Sequence, residues 1–178
     1  MPALKYRRRH RSRIHSIDAG GTSCLNDEAF ATLPEGITMS NALAKEIYTG
    51  HTHIIGGRDG SGRSSDGALD VKLSMPGSNG PGTNPEQLLG VGWAACFLSA
   101  MGIAAAKFKL PMPKDASMDV DITLGTVADG NYGLAAKLSV SLPGLSDEVK
   151  KQLVEAAHQT CPYSRATRGN IDVEIEIR

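Results

Sequence analysis

Two of the three cysteines sit where a thiol could do chemistry. Cys96 lies in "GVGWAACFLSAMG", a small and uncharged segment, and Cys161 lies in "AHQTCPYSRATRG", directly before Pro162. Two thiols brought together can pass between dithiol, sulfenic acid and disulfide. Either could equally be a small buried hydrophobe. Cys24, in a polar, Gly-containing N-terminal stretch, is read as incidental.

A thiol reacts as its thiolate, so the question becomes which cysteine has a stabilising charge nearby. Cys161 ends a predicted helix, where the macrodipole disfavours an anion. Cys96 falls in mid-helix, where the dipole helps little and burial opposes ionisation. A cation must come from elsewhere, and Arg58, Arg165 and Arg168 are the candidates. Arg58 has a potential partner in Glu86, whose carboxylate could hold the guanidinium fork beside a sulfur. Ten residues separate Glu86 from Cys96, about 15 Å along a straight helix. The two do not readily share a site in one straight helix. Either the helix bends or the site combines Glu86 of one chain with Cys96 of another. The second is expected, because an apolar helix needs more cover than five short strands provide. Arg58 as a solvated loop tip and Glu86 as a helix N-terminal charge remain the simpler alternatives. Cys96, Cys161 and His158 could offer three zinc ligands, but no second Cys/His pair stands at zinc spacing, and no metal or cofactor is expected.

The elements that would carry these residues are legible in pattern. Residues 1–38 hold a basic run, "KYRRRHRSR", without sustained periodicity, and are read as a tail, a targeting segment or upstream sequence. The domain is placed at 39–178. "KEIYTGHTHII" and "ALDVKLSM" read as strands, with "GGRDGSGRSSDG" as a long hairpin tip. In "TNPEQLL", Asn84 is an N-cap, Pro85 suits the first helical position and Gln87 could close a capping box. The helix should run to about Lys107. "SMDVDITLGTV" and "GLAAKLSVSL" alternate around the turn "ADGN". Ser146 caps a helix over about Asp147–Thr160, and "NIDVEIEIR" closes as a strand. The order β-β-α-β-β-α-β makes an α+β domain with a long apolar central helix.

Composition narrows the function classes. Lys+Arg and Asp+Glu both count 19 and aromatics make up 4%, so neither nucleic acid nor an anionic membrane is an expected partner. Residues 87–106 lack charge over a span long enough for a bilayer. Their Ala and Gly content instead suggests a core helix, one that needs more cover than five short strands provide. Trp93, Phe97, Met101 and Tyr163 lie near the cysteines in sequence and are expected to line an apolar substrate pocket.

Taken in order, "YTGHTHIIGGRDG", "SSDGALDVKLSMP", "GTNPEQLLGVGWAACF", "LPGL" and "AHQTCPYSRATRGNIDVEI" resemble the organic hydroperoxide resistance branch of the OsmC/Ohr family. The resemblance runs from about residue 46 to the C-terminus. It implies an intertwined homodimer with sites at the subunit interface, with Cys96 peroxidatic and Cys161 resolving. Arg58 and Glu86 would be the activating pair. It further implies organic hydroperoxide substrates, a Cys96–Cys161 disulfide, and reduction by dihydrolipoamide or a lipoylated protein. An OsmC-type peroxidase of broader specificity and a non-enzymatic dimer binding an apolar ligand are the alternatives. Location is expected to be cytoplasmic, or mitochondrial if residues 1–38 are a transit peptide.

Overall fold

A computed structural model describes residues 42–178 and the backbone of Leu4–Lys5. The tail expected at 1–38, its boundary with the domain, and Cys24 otherwise lie outside the described residues. Residues 52–178 with Leu4–Lys5 form one unit; residues 42–51 belong to a second and carry no helix or strand.

The elements are β1 (Leu4–Lys5), β2 (Thr52–Ile55), β3 (Ser61–Ser64), β4 (Asp70–Lys72), α1 (Pro85–Phe108), β5 (Ser117–Thr126), β6 (Tyr132–Ser141), α2 (Asp147–Thr160), α3 (Pro162–Thr167) and β7 (Asp172–Ile177). Two sheets result, β2-β3-β4 and β1-β7-β6-β5. In the larger sheet β5 and β6 pair antiparallel, β6 and β7 pair parallel, and β1 runs antiparallel to β7. The α+β class and the long apolar helix are as expected, but the order within the first half is not.

The region read as a hairpin with a loose tip is a three-stranded meander. Its middle strand, β3, has the sequence SGRS, in which the one buried position is Gly62. An inward glycine carries no hydropathy signal, so alternation could not reveal the strand. A Cβ there would stand 2.4 Å from Ile54 Cδ1. The first strand also shrinks from the expected 45–55 to four residues. Its partner spans only Ser61–Ser64, and the chain then turns through "SSDG". There Gly67 takes φ 73° and donates its N–H to the Ser64 carbonyl.

Helix α1 starts as its sequence requires. Asn84 accepts from the Gln87 N–H at 2.9 Å, and Pro85 sits in the first turn. The Gln87 side chain accepts from the Thr83 hydroxyl rather than closing a capping box. One face of α1 is core: Trp93, Phe97 and Met101 are fully buried with Leu138, Val140, Leu142 and Leu153. The opposite face is uncovered, with Val91 71% and Ile103 72% exposed and Ala95 and Ser99 exposed between them. Spacing by four residues puts these side chains in one stripe. The helix is long and apolar enough to cross a membrane by length and composition. Its core face nonetheless packs on β5 and α2.

The turn between β2 and β3 is the tightest part of the domain. Gly56 and Gly57 take φ 74° and 58°, conformations that glycine alone adopts freely. A Cβ at Gly60 would stand 1.6 Å from the Ile55 carbonyl oxygen and 2.8 Å from Gly56 Cα. Both are backbone atoms that cannot swing away. Gly60→Ala is therefore expected to destabilise the domain by about 2 kcal/mol or more. Denaturant unfolding of the variant against wild type checks this, and an unchanged midpoint would refute it.

Candidate redox site

Arg58 is carried by the 3-10 turn Gly57–Asp59 that the glycines allow. Two backbone links bring the start of α1 beside that turn. Leu73 donates its N–H to the Gly60 carbonyl at 2.9 Å, and Leu73 also bridges Thr83 in the residues leading to Asn84. Glu86, in the first turn of α1, then meets Arg58 fork to fork. Nη1 reaches Oε2 at 2.9 Å and Nη2 reaches Oε1 at 2.6 Å. The Arg58 hydrogen bonds hold the Glu86 carboxyl below its usual range, against the opposing effect of burial. The same contact raises the Arg58 pKa. Both residues belong to one chain.

The two thiols meet elsewhere on α1. The Cys161 thiol, fully buried, donates toward Cys96 Sγ at 3.3 Å, and both cysteines are free thiols. Cys96 is partly buried, on the flank of α1 between its core face and its uncovered face. Cys161 has two structural roles. Its N–H donates to the Ala157 carbonyl and ends α2, and its own carbonyl accepts from the Arg165 N–H and begins α3. The short helix α3 adds to the expected elements. Pro162 at its start is the available signal, since Pro is favoured at N1. Its consequence is chemical: it sets the Tyr163 backbone N–H where it favours the Cys96 thiolate.

Burial pushes the Cys96 thiol above its ordinary pKa, the Tyr163 N–H opposes this, and contact with Cys161 adds to the rise. Within one chain, then, Cys96 favours the thiol. Arg58 is held at Glu86, about 15 Å along α1 from the position of Cys96. Arg168 donates to the His158 carbonyl, at the corner between α2 and α3. Arg165 is exposed on α3. Among the described residues no group of three or more His, Cys, Asp or Glu could hold a metal ion, and His158 with the two cysteines forms no such group.

The expected pocket residues divide in this chain. Trp93, Phe97 and Met101 repeat every four residues along the core face of α1 and are fully buried. Tyr163 alone of the four reaches the surface, at 40% exposure. An open cavity of about 310 Å³ instead lies beside the ion pair, with Arg58, Glu86, Leu89, Leu124, Tyr132 and Leu134 in its walls. Leu124 pairs across the β5–β6 hairpin with Leu134, and Tyr132 lies two residues nearer its turn, too far along the sequence from either cysteine for proximity to suggest them.

A long apolar helix carrying one thiol, a second thiol at its flank and an ion pair at its start define an OsmC-type α+β redox domain. The chain belongs to the OsmC-like protein family, whose model matches residues 77–176, and within it to the organic hydroperoxide resistance branch. An organic hydroperoxide resistance protein of Xanthomonas axonopodis pv. citri is 47% identical over 137 residues, covering 75% of this chain and 96% of its own. An uncharacterized protein of Acinetobacter baylyi is 49% identical over 139 residues, covering 76% and 96%. The crystal structure of the organic hydroperoxide resistance protein OhrB of Bacillus subtilis superposes with a TM-score of 0.69 at 38% identity. That match covers 74% of this chain and 98% of OhrB.

The ion pair has a pH signature. A carboxyl whose folded pKa is depressed stabilises the fold above its unfolded value, about 4.3, and that stability is lost as pH falls through the lower folded value. Glu86→Gln should therefore lower the Tm at pH 6–7, with the gap to wild type closing as the pH falls below about 4. Thermal melts across that range check it; a gap that persists unchanged at low pH would mean the Arg58 contact is not its source.

Proposed function

We infer that the protein is a thiol peroxidase that reduces organic hydroperoxides to alcohols, in defence against oxidative stress. The observation that carries this reading is the 3.3 Å approach of Cys96 and Cys161 on the flank of α1. The relatives named for organic hydroperoxide resistance support the substrate class, as does the apolar wall beside Arg58, which suits an alkyl or aryl group better than hydrogen peroxide.

The Cys96 thiolate attacks the distal oxygen of ROOH. The O–O bond breaks, ROH leaves with a proton, and Cys96 becomes a sulfenic acid. Arg58, fixed by Glu86, stabilises the thiolate and the charge developing on the breaking bond. Cys161 then condenses with the sulfenic acid to a disulfide, which a dihydrolipoyl-type dithiol reduces by thiol–disulfide exchange. No further cofactor is invoked. Since each chain holds its ion pair apart from its thiols, Arg58 and Glu86 serve Cys96 of a second copy in a homodimer. The uncovered stripe of α1 supports that assembly, because exposed Val91, Ala95 and Ile103 gain by burial. The bacterial relatives support a cytoplasmic location.

Two experiments test this. Reduced protein given one equivalent of cumene hydroperoxide should lose two thiols per chain and yield a Cys96–Cys161 disulfide on peptide mapping. The response to hydrogen peroxide should be much slower; equal rates would favour a broader OsmC-type specificity. Cys96→Ser should abolish turnover, and Cys161→Ser should permit one oxidation and then stall. Unchanged thiols would leave a dimer that binds an apolar ligand. The second experiment mixes inactive Arg58→Ala and Cys96→Ser chains, which re-form one complete site per mixed dimer. Random exchange should restore about a quarter of wild-type activity. No recovery would put the whole site within one chain.

A further inference from the structure

Helix α3 is fastened to α1 at three places along one flank. The Tyr163 ring lies over Gly92, its hydroxyl 2.9 Å from where a Cβ would project from that glycine. The Trp93 indole N–H donates to the Ser164 hydroxyl at 3.0 Å, and both residues are fully buried. The third point is the approach of Cys161 to Cys96. Of the three, the indole–hydroxyl contact is the hydrogen bond made wholly within the core, and it joins the helix that bears Cys96 to the turn that begins at Cys161. Within that turn the Arg165 N–H donates to the Cys161 carbonyl at 3.0 Å and the Arg168 N–H to the Ser164 carbonyl at 3.1 Å. Cys161 and Ser164 therefore move as one piece.

Resolution requires the sulfurs to close from 3.3 Å to about 2.0 Å. Cys161 sulfur attacks Cys96 sulfur, the S–O bond of the sulfenic acid breaks, and an S–S bond forms. The departing hydroxide takes the thiol proton as water, Cys161 is oxidised and Cys96 is reduced to the disulfide level. The competing fate is a second hydroperoxide, which carries the sulfenic acid to a sulfinic acid and leaves as alcohol. Which fate prevails depends on how long Cys161 stays within reach.

We propose that the buried Trp93–Ser164 hydrogen bond is a latch that keeps Cys161 in attack position, and so sets the partition of oxidised Cys96 between disulfide and overoxidation. Trp93 and Ser164 are then positioning residues for the resolving step, a role that rests on the peroxidase reading above. An indole deep in the core needs a partner for its N–H whatever the protein does. This one takes its partner from the turn that holds the resolving thiol.

The test uses the full chain in three variants, Ser164→Ala, Trp93→Phe and the double variant. The double variant removes donor and acceptor together, so no buried group is stranded and folding is protected. Each is mixed with one equivalent of cumene hydroperoxide. Peroxide loss, dimedone-trapped sulfenic acid, disulfide and sulfinic acid are followed by quenched-flow mass spectrometry, with a Tm for each variant. The first oxidation should stay within about twofold of wild type, while disulfide formation slows about tenfold, the scale of one lost hydrogen bond. Trapped sulfenic acid should rise with one equivalent, and sulfinic acid with excess peroxide. If the folded double variant forms disulfide at the wild-type rate, the latch is overturned and the bond is only a core contact. If wild type itself loses no thiols, the peroxidase reading fails instead, and the two failures are told apart by that control.

Discussion

Helix α1 is a rigid rod, and its fixed rise governs where chemistry can occur in this chain. Glu86 lies in its first turn and Cys96 ten residues on, so about 15 Å and 80° of rotation separate them. Neither the glycine turn that holds Arg58 nor the α3 corner that holds Cys161 can shorten that distance. What those elements do is load each end of the interval separately. The small sheet delivers a guanidinium to the helix start, and the α2–α3 corner delivers a second thiol to the helix middle.

Each loading device is built from backbone geometry more than from side-chain attraction. Gly56, Gly57 and Gly60 let the chain reverse within a few residues, and the Leu73–Thr83 bridge brings the helix start to the reversal. At the other end, one residue ends α2 and begins α3, so Cys161 is fixed from both sides. The first N–H groups of α3 have no partner within the helix, and that of Tyr163 favours the Cys96 thiolate. Pro162 contributes by lacking an N–H where none is needed.

Chemistry-bearing residues were more legible in the sequence than the elements between them. Asn84-Pro85 marked the helix start, the uncharged run after it marked a core helix, and Arg58 with Glu86 was recognisable as a pair. The meander leaves no hydropathy pattern because its inward residue is glycine, and α3 is hidden because Cys161 both ends one helix and begins the next. The pocket residues show a different limit. Trp93, Phe97 and Met101 are close to Cys96 in sequence, but spacing by four places them on the core face of α1, while Cys96 sits on its flank. Sequence proximity along a helix says little about which side a residue serves. The cavity walls at Leu124, Tyr132 and Leu134 come from the large sheet, and only folding brings them to Arg58.

The acidity of Cys96 unites the two ends. In a single chain burial outweighs the one N–H that favours the thiolate and raises the Cys96 pKa. A guanidinium brought against it from outside the chain would reverse that balance, because an opposite charge in a poorly solvated site stabilises the anion strongly. The Glu86 carboxylate keeps the guanidinium oriented but also draws on its charge, so a flank-mounted sulfur gains most when it meets the side of the fork not engaged by Glu86. Separation within the chain thus has a chemical consequence: in the homodimer proposed above, the nucleophile would form where two copies meet.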